Sequence, residues 1–181
     1  MQKHLTEEEF AQVRTRIISG QASICIPRRV ARQFFTHTSN SSIKNTTDSS
    51  AHWQKSLVWM GVSAAPILLL VCGLVVIDSS GWWAAVTVPT IGIFWTILAG
   101  LTAEDGDWPS VTIALGLAIA CYFLLPPTYS VPLLLFVSSL WIHRMTYILA
   151  QELLISLVSD SYPAWEMLTD HIDLDDPAMP E

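Results

Sequence analysis

The chain has 181 residues, of which 51% are apolar and only 14% charged, with nine Lys+Arg, sixteen Asp+Glu and a net charge of −7. Soluble domains carry roughly a quarter of their residues as charges, so an ordinary soluble composition is excluded. The negative balance also argues against a nucleic-acid partner.

The charges are sorted along the chain. Residues 1–55 hold eight of the nine basic groups (Lys3, Arg14, Arg16, Arg28, Arg29, Arg32, Lys44 and Lys55) against four acids, a net of +4. Within this segment "TEEEFAQVRTRIISG" reads as a helix. Thr6 and Glu9 form a capping-box pattern, acids fill the first turn, and Gly20 is placed to end it. Phe10, Val13 and Ile17 share one face. "PRRVARQFF", 27–35, is a second basic-apolar segment carrying Arg28, Arg29 and Arg32. The domain 1–35 is thus expected to be a pair of basic amphipathic cytoplasmic helices able to lie on an anionic lipid surface or to pack on a neighbour. Residues 36–55 read as a polar linker.

Four apolar runs follow, at 56–77, 82–101, 110–125 and from 131 onward, and the first two are free of charge over the ~20 residues that hydrocarbon requires. The expected fold class is therefore all-α, an integral membrane protein of about four transmembrane helices. The third run is short. Pro126-Pro127 ends it, and Pro132 suits the first turn of the next helix. Residues 110–149 form either two full spans or a re-entrant hairpin. Gly61–Ala65, Gly92–Thr96–Gly100, Ala114–Ala118 and Gly116–Ala120 give small-residue faces for close helix packing. Trp53, Trp59, Trp82, Trp83 and Trp108 mark the interfaces, whereas Trp95 and Trp141 are expected to fill gaps between helices.

The fourth run, 131–149 with a helical extension to 158, is unusual in carrying His143, Arg144, Tyr147, Gln151 and Glu152. With Arg144 as zero and about 100° per residue, Gln151 falls at about −20°, Tyr147 at about −60°, His143 at about −100° and Glu152 at about +80°. These groups occupy one half of the helix. Two readings fit. Either the span ends near Tyr147 and an amphipathic cytoplasmic extension begins, or the helix carries a buried polar seam for a partner subunit or an ion path.

Residues 152–181 hold eight acids and no Lys or Arg. The domain 159–181 is expected to be an acidic cytoplasmic tail attracted to basic protein surfaces, its own 14–32 segment or a partner's, through Asp173, Asp175 and Asp176 among others. "DHIDLDDP" lacks the Gly and terminal Glu of a calcium loop. Cys25, Cys72 and Cys121 show no metal-ligand spacing, and no phosphate loop, GxSxG or HExxH motif occurs. No metal, cofactor or catalytic group is expected.

The basic excess before the first span orients the chain with both termini in the cytoplasm of an inner (plasma) membrane. The sequence points to a non-enzymatic multi-pass subunit of a larger membrane assembly, as in secretion or conjugation, respiratory or transport machinery, with the bilayer and other membrane subunits as partners. The alternative is a small homo-oligomeric transporter or channel built on the polar face of the fourth helix. An intramembrane enzyme ranks third.

Overall fold

A computed structural model describes residues 5–38, 50–101 and 108–176. Among them are seven α-helices and two short strands: α1 (Glu7–Ile18), β1 (Ser23–Cys25), α2 (Arg28–His37), α3 (Ser50–Ser80), α4 (Trp82–Leu101), α5 (Trp108–Leu124), α6 (Pro127–Asp160), α7 (Tyr162–Leu168), a 3-10 turn (Thr169–His171) and β2 (Asp173–Asp175). The chain divides into two compact units, 1–57 with 149–181, and 58–148. The long helix α6 contributes residues to both.

The first unit is made from the two ends of the chain. The expected capping box opens α1: the Thr6 N–H donates to Glu9 Oε2 at 2.9 Å, and the Glu9 N–H to Thr6 Oγ1 at 3.4 Å. Gly20, at φ +72°, closes the helix in the left-handed conformation that glycine reaches most cheaply. The Gly20 N–H bonds the Ile17 carbonyl and the Gln21 N–H that of Arg16, which satisfies carbonyls a helix end leaves open. Phe10 and Val13 of α1 are buried, as are Ala31, Phe34 and Phe35 of α2, at the one-face spacing of an amphipathic helix.

The acidic end is not an extended tail. Ser161 and Pro163 start α7, and Ala164, Trp165 and Leu168 bury themselves among its acids. Phe10 meets both Tyr162 and Trp165, at ring-centroid distances of 5.6 and 5.5 Å, within the range aromatic pairs favour. β2 then pairs antiparallel with β1, in the register Ser23 to Asp175, Ile24 to Leu174 and Cys25 to Asp173.

The second unit is helical. Two helices, α3 and α6, are long and apolar enough to cross a membrane. The apolar parts of α4 and α5 are shorter, at Val86–Ile97 and Pro109–Leu124. α3 begins at Ser50, ahead of its apolar run, and α6 begins at Pro127 rather than near Pro132. Leu125 and Pro126 alone separate α5 from α6, because Pro127 itself supplies the N-terminal residue whose missing N–H costs nothing there. Residues 102–107, and with them the loop acids Glu104, Asp105 and Asp107, lie outside the described residues, as do residues 39–49 of the expected 36–55 linker; of its other residues, 36–37 end α2 and 50–55 begin α3.

Within the 58–148 unit α3 and α6 pack antiparallel, Gly61–Cys72 of α3 against Pro132–Thr146 of α6. A Cβ on Gly61 would collide with Thr146 Oγ1. Ser139 Oγ donates to the Ala65 carbonyl at 2.7 Å, and Cys72 Sγ to the Pro132 carbonyl at 3.3 Å. Gly61, Ala65 and Cys72 thus form the face of α3 that α6 approaches. Gly81, at φ +82°, turns the chain into α4, which returns against α3. A Cβ on Gly92 would lie 2.5 Å from Leu69 Cδ2. Gly116 has nothing within 4 Å of its Cβ position, so the Gly116–Ala120 side of α5 is uncovered, whereas Ala118 of the neighbouring pair is buried. Trp95 is 51% exposed; it points outward from α4 rather than filling a packing gap, because α4 contacts α3 through the narrow Gly92 side.

These contacts separate two glycines of equal sequence appeal. Gly61→Val should destabilise the folded protein by about 1–3 kcal/mol, the usual cost of overpacking. Gly116→Ala should be neutral or stabilise it by a few tenths of a kcal/mol, as helix propensity favours Ala. Thermal unfolding of detergent-solubilised variants would compare them, and equal melting shifts would contradict the packing described.

Candidate functional site

The polar residues of the fourth apolar run divide between the two units. In the 58–148 unit, Ser139, His143, Arg144, Thr146 and Tyr147 of α6 are all buried in the folded chain, with Arg144 only 4% exposed. The His143 and Tyr147 rings meet edge to face at 5.5 Å. Thr146 Oγ1 donates to its own helix at the Ile142 carbonyl, 2.7 Å away, and Ser139 is satisfied by α3 as above. The buried positions 139, 143 and 147 are spaced by four residues, so they line one side of the helix.

After a step of three, which keeps the same side of the helix, the four-residue spacing resumes through Ala150, Leu154 and Val158, all fully buried in the other unit. The inward side of α6 is therefore polar before residue 148 and apolar after it. The outward surfaces reverse in the same way. Around the 58–148 unit, Met60, Leu70, Leu74, Phe94, Leu117 and Phe123 are exposed, whereas Glu152, Ser156 and Asp160 are the exposed positions of the later part of α6. A surface of large apolar side chains around a polar interior seam is the arrangement hydrocarbon favours, and the opposite one is that of water.

α4 keeps its hydroxyls within its own turns. Thr87 Oγ1 donates to Trp83 O at 3.1 Å, Thr90 Oγ1 to Val86 O at 2.7 Å and Thr96 Oγ1 to Ile93 O at 2.8 Å. Each hydroxyl is satisfied within its own helix, leaving an apolar outline.

In the terminal unit Gln151 is a bridge. Its Nε2 donates to the Ile26 carbonyl at 2.7 Å, and its Oε1 accepts from Arg28 Nε at 3.1 Å. This holds the chain between β1 and α2 against α6. Lys55 Nζ donates to the Thr38 carbonyl at 2.7 Å, and Tyr162 Oη to the Leu5 carbonyl at 3.0 Å. Glu152 is exposed, as are Arg29, Asp173 and Asp175, and Arg32 is half-buried.

The oppositely charged ends meet in two ion pairs. Arg14 Nη2 lies 3.0 Å from Asp160 Oδ1, and both side chains are largely open to solvent, at 44% and 65%. Such a pair adds little stability. Arg16 Nη2 lies 3.0 Å from Asp176 Oδ2, and here the aspartate side chain is 1% exposed. The sequence flagged Asp176 but not Arg16 as a single partner. Its clue was the sign contrast between 14–32 and 160–181, which names the surfaces that attract without naming the pair.

Among the expected site residues, Arg28 and Gln151 are thus brought together and Asp176 is buried against Arg16. His143, Arg144 and Tyr147 form a separate buried group in the other unit. Among the described residues, no group of three His, Cys, Asp or Glu side chains is placed to hold a metal ion. No protein-family model, curated protein or solved structure matches this chain.

Two substitutions probe the two places. Gln151→Leu leaves the Ile26 carbonyl and Arg28 without their bridge and should cost about 1–3 kcal/mol, the penalty for a stranded buried polar group. Arg144→Leu should lower stability in detergent by about 3–5 kcal/mol, the scale for removing one member of a buried charged contact. A nearly unchanged melting temperature for Arg144→Leu would instead mean that the guanidinium extends to solvent or headgroups.

Proposed function

We propose that this chain is a non-enzymatic, four-span subunit of a larger inner-membrane assembly, with both termini in the cytoplasm folded together into one small domain. The β1–β2 ladder is the observation that carries this reading. Residues 23–25 and 173–175 can pair only if they lie on the same side of a membrane, so the chain between them crosses an even number of times. With α3 and α6 as spans, α4 and α5 cross together or not at all. The exposed Val86, Phe94 and Ile97 of α4 and Ile113, Leu117 and Phe123 of α5 favour crossing, since that much apolar surface is costly in water. The crowding of Lys and Arg into residues 1–55 supports a cytoplasmic domain.

Its work in the assembly is to anchor and present that domain. The apolar outer faces of α4 and α5, including the uncovered Gly116, suit lipid or neighbouring helices. Secretion or conjugation, respiratory and transport complexes all use subunits of this form. The rival reading, a homo-oligomeric transporter or channel lined by α6, draws on the polar group at His143, Arg144 and Tyr147. Burial of those residues in the folded chain weighs against it, because a pore lined by several copies needs that face open to its neighbours.

Two measurements test the proposal. Reporter fusions at residues 1 and 181 should show cytoplasmic fluorescence and no phosphatase activity at either end, and an active C-terminal phosphatase would refute the even count. Blue-native electrophoresis followed by mass spectrometry should find the chain in a defined hetero-complex. Recovery as a bare homo-oligomer would favour the channel.

A further inference from the structure

Helix α2 is tied at both ends to α3 and α6, the two helices long and apolar enough to cross a membrane. At its start, Gln151 of α6 bonds the Ile26 carbonyl and Arg28. At its end, Lys55 of α3 bonds the Thr38 carbonyl. Gln151 and Lys55 each lie three residues from the boundary of the 58–148 unit, or about 4.5 Å along their helices. α2 is therefore held at the level where α3 enters its apolar run and α6 leaves its own. Trp53 and Trp59 flank Lys55 and are 55% and 44% exposed, the open placement that amphipathic rings favour at headgroup depth.

The side chains of α2 are sorted by face. With Arg29 as zero and about 100° per residue, Thr36 falls at about −20°, Gln33 at about +40° and Arg32 at about −60°, whereas Ala31, Phe34 and Phe35 fall on the opposite half. The second set is buried; Arg29 and Gln33 are exposed, and Arg32 and Thr36 are half-buried. The outward face thus carries two guanidinium groups and no acid. Glu152 is an exposed acid at the same level, but it lies about 100° round α6 from the Gln151 side that holds Arg28. Surface helices commonly lay an apolar side into lipid. α2 turns that side to the protein core, which leaves charge as its means of contact.

We infer that the Arg29–Arg32 face of α2 is a binding site for the phosphate headgroups of anionic phospholipid in the cytoplasmic leaflet. The inference rests on the four-span reading, which supplies lipid at this level. Guanidinium N–H groups match phosphate oxygens in pairs, and each guanidinium has five such donors, so a contact within the chain does not exhaust them. Headgroups are present wherever α3 and α6 enter hydrocarbon, whereas an acidic protein segment would have to be brought there. A basic residue near an anionic leaflet is worth roughly fivefold in affinity. Bound lipid would brace α2 against the ends of α3 and α6.

The test adds phosphatidylglycerol or phosphatidylcholine to the full-length protein in neutral detergent, counts retained lipid by native mass spectrometry and follows thermal unfolding. Phosphatidylglycerol should be retained at least tenfold more strongly and should raise the melting temperature, with less effect at 1 M than at 0.1 M salt. Arg29→Gln with Arg32→Gln should abolish the preference, and Arg29→Gln alone should reduce it about fivefold. Arg29 is exposed, so its single variant reads the site should the double one lose its helical circular dichroism. Arg14→Gln, in an exposed ion pair elsewhere in the unit, should keep the preference. Inorganic phosphate at the same concentration should leave the melting temperature unchanged. Equal retention of the two lipids, or a folded double variant that keeps the preference, would overturn the inference. So would a melting shift reproduced by inorganic phosphate, the mark of a free-anion site, or a double variant that loses a co-purifying protein and keeps its lipid, the mark of a protein-docking face. Carbonate extraction separates the two readings. Release of the chain from membranes would refute the spans, whereas a retained chain without lipid preference would refute the site alone.

Discussion

The fold turns on the inward stripe of α6, which has to be buried in two different ways along one helix. At 34 residues and about 1.5 Å per residue the helix is ~51 Å long, well beyond the ~30 Å of a hydrocarbon layer. Its stripe packs Ser139, His143 and Tyr147 in one unit and Ala150, Leu154 and Val158 in the other. The solvent on the outside decides which chemistry belongs inside. Against lipid, apolar side chains would gain nothing by moving inward, and the proposed membrane setting accounts for the small and hydrogen-bonding groups between α3 and α6. Against water, apolar burial is the driving force, and Phe10, Phe35, Leu154 and Trp165 form the core.

The terminal unit depends on that helix for its assembly. Neither residues 5–38 nor residues 162–176 contain enough apolar surface to fold alone, and each supplies only a few large side chains. α6 brings Leu154, Leu157 and Val158 between them, and Gln151 anchors the connection from β1 to α2. The ladder then closes a loop of chain that includes every apolar helix. Closing so long a loop costs more entropy than a local hairpin, which the shared core offsets.

Much of this was legible in the residues, for identifiable reasons. The first three apolar runs announced their helices because no charge interrupts them, and Thr6, Glu9 and Gly20 announced the ends of α1 because capping chemistry is local. Gly61 and Ala65 were visible as a small-residue pair, but so were Gly116 and Ala120. Spacing alone cannot tell a contact face from an open one: Gly61 meets another helix and Gly116 does not. The wheel placed His143, Arg144, Tyr147 and Gln151 on one half of the fourth helix and offered a seam or an extension. In the structure the first three are buried with the small residues of one unit, and Gln151 serves the core of the other. The folded tail was the least legible part. Eight acids in 152–181 mask Ala164, Trp165 and Leu168, and three-residue strands are too short to show an alternating pattern. Which acid met which arginine was set by tertiary packing, beyond the reach of charge counting.

The claim that α6 changes its surroundings from lipid to water while keeping one face buried is tested most directly by spin-label accessibility. Single cysteines would replace Leu133, Glu152 and Ser156 on the exposed side, and Ala150 and Leu154 on the buried side, in a background lacking the native cysteines and reconstituted into vesicles. Relaxation by oxygen should dominate at Leu133, relaxation by a water-soluble nickel chelate should dominate at Glu152 and Ser156, and both should be weak at Ala150 and Leu154. Equal access to the nickel chelate at Leu133 and Ser156 would contradict the account, since α6 would then lie in water along its whole length.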